Sequence, residues 1–262
     1  MLADDLIELH RAPREVQPFT ERYPDLTVDA AYDAARKLDA HRLAQGWRRV
    51  GRKVGFTNRT LWARYGVYEP MWGAVYDRTL VRAENDRARV DLDGLVQPRI
   101  EPEICFGLGS APRSARIEDL LAAIDWIAHS IEIVQCHHPA WKVRIADCAA
   151  DNGLHGRLVV GTPRALAEFP GLAESLPRAE VELLRGETSV ERGVGANVLG
   201  SPLLSLGHLV ELLGRQPKAP PLAAGEIVTT GVLTDAHPVA RGETWRTHFT
   251  GLALHGLTVT FA

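Results

Sequence analysis

RIEPEICF, residues 99–106, is the stretch of this sequence that most constrains the fold. Side chains alternate between the two faces of a strand, so Ile100 and Ile104 share one face while Glu101 and Glu103 share the other. Two carboxylates this close repel each other unless a cation lies between them. Mg²⁺ and Mn²⁺ prefer oxygen ligands of this kind. The stretch therefore predicts a half-buried strand and a candidate divalent-metal site.

A third carboxylate, Glu132, lies in the apolar run IEIV of residues 131–134. An unpaired ionised side chain is costly to bury, so this position requires a partner. One interpretation is that Glu132 joins Glu101 and Glu103 around a metal. The other is that Glu101 and Glu103 lie on a solvated strand face while Glu132 pairs with an arginine. The residue pattern alone leaves both open.

The segment GRKVGFTN, residues 51–58, carries a lysine between two glycines. In a strand, Gly51, Lys53 and Gly55 share one face, which leaves room there for a ligand or for another backbone. A lysine in that setting could donate a proton or hold an anion. An exposed lysine in a glycine-bent edge strand is the alternative interpretation.

Two further glycine-containing segments could contribute to a site. ADNGLHG, residues 150–156, is a turn sequence whose Asp151, Asn152 and His155 could face a ligand. GEIVTTG, residues 225–231, is predicted to be a strand whose last backbone amides could hold a carboxylate. A plain turn and a plain strand end explain the two patterns equally well.

The periodicity of apolar residues predicts helices mainly near the start of the chain and strands beyond it. Helices are predicted over residues 3–11, 27–45, 117–127 and 206–213, with Thr27 and Ser205 as N-caps of the second and fourth. Strands are predicted over residues 49–56, 73–81, 98–106, 157–160, 179–184, 226–230 and 257–261. Because strands and helices do not alternate regularly, the pattern favours an α+β fold over a doubly wound one.

The composition narrows the range of partners. The 262 residues carry 30 basic and 33 acidic side chains, a net charge of −3, so no basic face for nucleic acid is expected. No stretch approaches the roughly 20 apolar residues of a membrane span, and acidic residues stand where a signal peptide needs positive charge. The three cysteines lack metal or redox spacing, as is typical of a reducing compartment. A cytoplasmic protein is therefore expected.

Six segments in this order resemble one known family: GRKVGFTN, YGVYEPMWGAVYD (residues 65–77), RIEPEICF, IEIVQ, ADNGLHG and GEIVTTG. Over essentially its whole length, the chain resembles 2-keto-4-pentenoate hydratases of the fumarylacetoacetate hydrolase superfamily. The resemblance implies a helical N-terminal part, residues 1–70, and a mixed β-roll catalytic domain, residues 71–262. It also implies a homo-oligomer with one divalent metal, Mg²⁺ or Mn²⁺, in each site.

The resemblance assigns roles to particular residues. Glu101, Glu103 and Glu132 match the acids that hold the metal in this family. Lys53 falls where the hydratases keep a catalytic lysine, and Asp77 is the expected acid-base partner. The implied substrate is a small 2-oxo acid.

The implied reaction adds water to a 2-hydroxy-2,4-dienoate and gives a 4-hydroxy-2-oxo acid, in the catabolism of aromatic meta-cleavage products. A 4-oxalocrotonate-type decarboxylase is the nearest alternative, and Arg52, Arg64 or Arg144 could then seat a second carboxylate. An acylpyruvate hydrolase is disfavoured, because neither His10 nor His41 has an identifiable partner. A scaffold that associates with a pathway enzyme is the non-catalytic alternative.

Overall fold

A computed structural model describes residues 1–59, 62–65 and 67–262, with the backbone alone at residues 64 and 65. The helices are α1 (Leu2–Arg11), α2 (Phe19–Arg22), α3 (Val28–Ala44), α4 (Trp62–Tyr65), α5 (Ile117–Ala123), α6 (Ile145–Ala150), α7 (Leu172–Ser175) and α8 (Pro202–Gly214). The strands are β1 (Arg49–Gly55), β2 (Met71–Tyr76), β3 (Leu80–Arg82), β4 (Arg87–Val90), β5 (Arg99–Leu108), β6 (Ile124–Val134), β7 (His155–Val160), β8 (Arg164–Ala165), β9 (Glu180–Arg185), β10 (Thr188–Val194), β11 (Ile227–Val232), β12 (His237–Pro238), β13 (Thr244–Thr250) and β14 (Thr258–Phe261).

Helices α1 and α3 agree with the helices predicted over residues 3–11 and 27–45. The Thr27 hydroxyl accepts a hydrogen bond from the backbone N–H of Ala30, which satisfies one of the free donors at the start of α3. The helix ends at Ala44, and Gly46 beyond it adopts the left-handed backbone conformation that favours glycine (φ +81°). Both the start and the end signals of α3 were therefore local in sequence.

Two predicted helices have different bounds in the structure. The helix expected over residues 117–127 ends at Ala123, because the next residues begin β6 and pair along β5. The last long helix begins at Pro202 with Ser201 as its N-cap, rather than after Ser205. Proline is pre-organised for the first helical position, so Ser201 and Pro202 form the stronger start signal. The Ser205 hydroxyl instead donates to the carbonyl of Thr230 (2.6 Å).

The described strands form two sheets. The larger has the order β2-β1-β11-β5-β6-β7-β3, with β12 beside β5 and β8 beside β6. The smaller has the order β10-β9-β13-β14-β4. Most neighbours are antiparallel, whereas β1 with β11, β3 with β7 and β4 with β14 are parallel. The mixed sheets and the helical start agree with the predicted α+β class.

One face of β5 and β6 packs in a hydrophobic core, and the other face carries the glutamates of the candidate site. Ile100 of β5 and Ile131 and Ile133 of β6 are buried with Trp245 and Phe261 of the smaller sheet, in a core between the sheets. The opposite face of these two strands carries the glutamates. Burial of one face thus holds the carboxylates in register on the other.

The expected boundary at residue 70 does not separate helices from sheet. Strand β1 precedes it, yet β1 lies inside the larger sheet between β2 and β11. Side chains of α1 and α3, including Leu6 and Ala31, share one hydrophobic core with Ile104 and Phe106 of β5. The helical segment and the sheet therefore pack as one body.

Judged only by its length and composition, the helical segment Gly195–Gly214 could cross a membrane. Within the fold, 61% of its most apolar window is buried, and the core helices of soluble proteins pass the same test.

Candidate metal centre

The pairing of β5 with β6 brings the three predicted metal ligands together. Glu101 lies directly opposite Glu132, and Glu103 lies opposite Ser130, one step along the same face. One carboxylate oxygen from each of Glu101, Glu103 and Glu132 lies within 4.8 Å of the others. We call these three residues the acid cluster. Like charges directly opposite each other on a sheet destabilise it, so this arrangement calls for a cation.

Glu103 is held by the strand end that follows Gly225. The Thr229 hydroxyl and the backbone N–H of Gly231 (2.9 Å) both donate to one of its carboxylate oxygens. Gly231 has a left-handed backbone (φ +111°), and an added Cβ would lie 1.9 Å from the hydroxyl oxygen of Thr57. The other oxygen of Glu103, Oε1, is buried and has no hydrogen-bond partner among the described residues. One carboxylate oxygen is therefore fixed while the second remains available to a ligand.

Lys53 reaches the acid cluster from β1. Its Nζ lies 3.1 Å from Oε2 of Glu132, although β11 and β5 separate β1 from β6 in the sheet. The larger sheet must therefore curl around the site. On the other side of Glu132, the ring Nδ1–H of His155 donates to Oε1 (2.8 Å), and its Nε2 lies 2.8 Å from the Thr79 hydroxyl. Glu132 is thus paired with a lysine and a histidine rather than with an arginine.

The three carboxylates of the acid cluster carry more negative charge than the neighbouring lysine can neutralise. Burial raises the pKa of Glu101 to about 7, with Lys53 opposing and Glu132 adding to the shift. Burial, reinforced by Glu132 and Glu101, raises the pKa of Glu103 well above its usual value. For Glu132, Lys53 and His155 outweigh burial and lower the pKa. Burial disfavours the charged form of Lys53, but the carboxylates prevail and raise its pKa. One lysine thus faces three carboxylates, which is the setting for a bound cation.

Glu101 and Lys53 open onto a cavity of about 110 Å³. This is smaller than the roughly 150 Å³ cavity that holds a benzene molecule, so it suits a compound of a few carbons. Its walls are largely apolar and include Val54, Phe56, Met71, Val134, Val143, Leu154 and Val232. Besides Lys53 and Glu101, the polar residues that line the cavity are Thr57, Asn58, Arg99 and Asp235. The guanidinium of Arg99 lies over the ring of Trp141, which also lines the cavity.

Sequence reasoning missed Thr57 and Arg99 as cavity residues. The Thr57 hydroxyl oxygen is buried and has no hydrogen-bond partner among the described residues. Arg99 precedes Glu101 by two positions, so strand alternation places it on the same face of β5. That alternation was readable in the sequence, whereas the turn that aims Thr57 inward was not.

Asp77 is not brought to the acid cluster. It follows the end of β2, where Tyr76 pairs with Arg49, whereas Lys53 pairs with Gly73. Four residues of strand, about 13 Å, therefore separate the backbone beside Lys53 from Asp77. The carboxylate of Asp77 is partly exposed and accepts hydrogen bonds from the backbone N–H and the Nε of Arg48, both at 3.0 Å. These contacts lower its pKa.

A second cluster of titratable groups joins α1 to the loop before β7. Asp151 accepts hydrogen bonds from His10 (2.8 Å) and His137 (2.7 Å), and Arg42 donates to the other ring nitrogen of His10 (3.0 Å). We call His10, His137 and Asp151 the histidine cluster. The three could hold a metal by spacing, but none of them lines the cavity. His10, which had no partner in the sequence analysis, thus has two.

The histidine cluster anchors the loop that closes one side of the cavity. Asn152, the next residue after Asp151, bonds both the N–H and the carbonyl of Ala74 in β2 (2.9 Å each). Gly153 then lies against Gly73 and the Lys53 side chain, where a Cβ would come within 3.0 Å of the lysine Cδ. ADNGLHG is therefore both a turn and a wall of the site.

Two of the three arginines predicted as candidates for binding a second carboxylate, Arg52 and Arg144, do not line the cavity. Arg52 is buried, donates to Glu226 (2.7 Å) and lies over the Trp72 ring. Arg144 lies in a separate depression that shares Arg99 and Trp141 with the cavity. The side chain of Arg64 lies outside the described residues.

The fold and the acid cluster define the class of protein. The fumarylpyruvate hydrolase from Pseudomonas aeruginosa, in complex with Mn²⁺ and pyruvate, has the same fold with a TM-score of 0.62 at 14% identity, over 82% of this chain and 89% of that one. The 4-oxalocrotonate decarboxylase from Pseudomonas putida G7, complexed with magnesium and adipate, superposes with a TM-score of 0.90 at 29% identity, over 100% of this chain and 96% of that one. The fold is that of the fumarylacetoacetate hydrolase superfamily.

Sequence comparison then identifies the family, although no family model matches the chain. The TodF product hydratase of Pseudomonas putida is 33% identical over 99% of this chain and 94% of its own length. The 2-hydroxyhexa-2,4-dienoate hydratase of Comamonas testosteroni is 32% identical over 91% and 88%. A 4-oxalocrotonate decarboxylase from a Pseudomonas species is 33% identical over 80% and 78%. The chain belongs to the family of 2-keto-4-pentenoate hydratases and 4-oxalocrotonate decarboxylases, which confirms the resemblance.

Proposed function

We propose that this protein is a metal-dependent hydratase that adds water to a 2-hydroxy-2,4-dienoate and yields a 4-hydroxy-2-oxo acid. The observation that carries the proposal is the acid cluster with Lys53 beside it, of which Glu101 and Lys53 line a small, largely apolar cavity. The similarity to hydratases over nearly the whole chain supports the same reaction.

The acid cluster fits a hard divalent cation, and we propose Mg²⁺ or Mn²⁺. All three donors are carboxylates, and the free Oε1 of Glu103 is buried without a partner among the described residues. A bound cation would relieve the repulsion that raises the pKa of Glu101 and Glu103. Bound there, such an ion supplies a Lewis acid that polarises the carboxylate and 2-oxygen of a 2-oxo acid.

The remaining steps fall to side chains of the cavity. Lys53 is held protonated by the carboxylates, so its Nζ can give a proton to the substrate as the dienol becomes an unsaturated ketone. The apolar walls exclude bulk water from the carbon chain. The Thr57 hydroxyl, which lies on the cavity wall, is a candidate to orient the water that adds at carbon 4.

The reaction can be tested with 2-hydroxypenta-2,4-dienoate in oxygen-18 water. A hydratase gives 4-hydroxy-2-oxopentanoate with the label at carbon 4, and a chelator stops the reaction until Mg²⁺ or Mn²⁺ is returned. Mass spectrometry of the product locates the label. Full activity after chelation would contradict the metal dependence.

A 4-oxalocrotonate-type decarboxylase is the second candidate, and Arg99 in the cavity wall is the observation that favours it. A decarboxylase of this kind acts on a diacid and needs a cation for the second carboxylate. Rapid release of carbon dioxide from 2-oxohex-3-enedioate, without hydration of the dienoate, would replace the hydratase proposal by this one.

We further propose that the protein acts in the cytoplasm, in the breakdown of aromatic meta-cleavage products, as a homo-oligomer that can associate with a pathway enzyme. The names of its relatives support the pathway. Light scattering coupled to gel filtration would test the oligomer, and a single-subunit mass would refute it.

A further inference from the structure

We propose that the protein has a second binding site, in a pocket behind the cavity at the acid cluster. Its ligand is a small monocarboxylate with an apolar body of about the size of a benzene ring. The pocket lies between α3, β2, the loop before β7 and the segment that follows α8. We call it the α3 pocket, and its lining residues include Tyr32, Ala35, Arg36, Arg49, Trp72 and Lys218. The proposal is independent of the proposed reaction, because none of these residues belongs to the acid cluster.

The α3 pocket is separate from the cavity at the acid cluster, although the two share a wall. No described residue lines both of them. Side chains alternate along β2, so Met71 faces the cavity whereas Trp72 faces the pocket. The same change of side occurs in the loop before β7, where Gly153 lines the cavity and Asn152 lines the pocket. A ligand of the α3 pocket therefore needs neither the acid cluster nor Lys53.

The interior of the α3 pocket is apolar and large enough for a small ring compound. Its volume is about 310 Å³. Small-molecule sites have volumes of roughly 300–1,000 Å³, and a cavity of roughly 150 Å³ already holds a benzene molecule. The pocket thus has room for one ring and a carboxylate.

Two aromatic residues form much of the apolar lining. The rings of Tyr32 and Trp72 are stacked, with their centroids 5.6 Å apart. Their polar atoms already have partners within the protein. The Tyr32 hydroxyl accepts a hydrogen bond from the backbone N–H of Trp72 (3.0 Å), and the indole N–H donates to Gln216 (2.9 Å). The two rings therefore offer apolar surface to a ligand, which suits a hydrocarbon body.

The charged residues around the α3 pocket favour an anion. Arg36 and Lys218 share a single carboxylate, that of Asp33, which lies 2.8 Å from the lysine Nζ. Arg49 has the carboxylate of Asp39 at 3.3 Å from its Nε. Three cations thus face two carboxylates, and the group carries one net positive charge. A bound carboxylate would neutralise it.

Arg49 has the most hydrogen-bonding capacity left among these cations. Its partner Asp39 already accepts a hydrogen bond from the Tyr76 hydroxyl on the same oxygen, Oδ1 (2.8 Å). The guanidinium of Arg49 makes no hydrogen bond to any described residue, and its side chain is 33% exposed. A guanidinium can donate two parallel N–H bonds to a carboxylate. Arg49 is therefore the residue that binds the carboxylate of the ligand.

The test compares benzoate with benzamide, a neutral compound of nearly the same shape. Calorimetry with the full chain and Mg²⁺ measures the binding of each. We expect benzoate to bind at least about tenfold more tightly, as one charge-assisted hydrogen-bonded contact provides. Arg49→Gln should remove this preference and leave benzamide binding unchanged. Arg48→Gln is the matched control, because it removes the same charge from an exposed neighbour outside the pocket and should preserve the preference.

A second pair of variants tests the location of the ligand. Ala35→Phe places a ring in the α3 pocket and should abolish the binding of both compounds without a large change in melting temperature. Arg99→Gln, in the cavity at the acid cluster, should leave benzoate binding unchanged. Equal affinities for benzoate and benzamide, binding of neither, or a preference that survives Arg49→Gln would overturn the proposal. Benzoate binding that survives Ala35→Phe, or that is lost in Arg99→Gln, would place the ligand elsewhere and would also overturn it.

Discussion

The acid cluster and the histidine cluster each bring three titratable side chains together in the interior, but only the histidine cluster has a hydrogen bond on every carboxylate oxygen. In the histidine cluster, Asp151 receives a hydrogen bond on each oxygen, and the contacts to His137 and His10 overcome burial and lower its pKa well below its usual value. In the acid cluster, Glu103 keeps a buried oxygen without a partner in the described part of the chain, and its pKa is raised.

The difference separates a structural network from a candidate catalytic one. In the histidine cluster both oxygens of Asp151 have partners, whereas Nε2 of His137 is buried without one among the described residues, and the network ties α1 to the loop beside Lys53. A buried carboxylate oxygen without a partner costs free energy, and a cation bound at the acid cluster would supply the missing partner of Glu103. Spacing alone would have marked both clusters as metal sites. Their hydrogen bonds and their access to the cavity distinguish them.

A substitution of Glu103 in the acid cluster should have the largest effect on turnover. Glu103→Gln removes a predicted metal ligand, so we expect turnover to be abolished. Mg²⁺ should raise the melting temperature of the unaltered protein by mass action but not that of the variant. Without metal the variant should be as stable as the unaltered protein, because glutamine resembles the protonated acid that the raised pKa favours. Glu118→Gln, an exposed change, is the control.

Removing the charge of Lys53, which forms an ion pair with Glu132 of the acid cluster, should have the next largest effect on turnover. Lys53→Met should lower turnover by at least about a hundredfold if Nζ transfers a proton in the slow step. The exposed Lys142→Met should leave turnover unchanged and serves as the matched control. Stopped-flow measurement of dienoate consumption gives the comparison. A Lys53→Met enzyme with near-normal turnover would exclude the lysine from the chemistry.

A substitution in the histidine cluster should lower the stability of the protein without affecting metal binding. Asp151→Asn weakens two hydrogen bonds to histidine, so we expect the free energy of unfolding at pH 6 to fall by roughly 2–3 kcal/mol. The stabilisation by Mg²⁺ should persist. Urea unfolding with and without Mg²⁺ measures both quantities. Loss of the Mg²⁺ effect with intact folding would place the metal at the histidine cluster instead.

The pH dependence of this stability difference follows from the two pKa shifts. The pKa of Asp151 is lowered in the folded protein, so its contribution is present above about pH 4 and is lost as the pH falls further. The pKa of His137 is raised, because Asp151 outweighs burial, so its contribution is present below about pH 6.5 and is lost at higher pH. The difference between Asp151→Asn and the unaltered protein should therefore be largest between about pH 4 and pH 6.5.

The smallest effect is expected at Asp77, which the sequence indicated as an acid-base partner and which the fold places beside Arg48. Asp77→Asn should leave turnover near normal and change the melting temperature little, because exposed ion pairs contribute little to stability. A large loss of turnover in steady-state assays, without a loss of Mg²⁺ binding, would show that Asp77 takes part in catalysis.

Local chemistry was sufficient for much of this protein. Strand alternation in residues 99–106 placed Glu101 and Glu103 on one face, and an ionised glutamate among apolar residues marked Glu132 as a group in need of a partner. The N-cap and the terminal glycine of α3 determined that helix. These features depend on neighbours within a few residues, so the sequence by itself determined them.

Tertiary structure decided which groups meet. The curl of the larger sheet carries Lys53 across two strands to Glu132, and the register of β2 takes Asp77 away from it. The histidine cluster joins residues 10, 137 and 151, whose separation along the chain gives no local signal. Ile124 became the start of β6 because pairing with β5 outweighed its helical spacing. Such outcomes depend on sheet register and curvature, which are set by packing between distant segments.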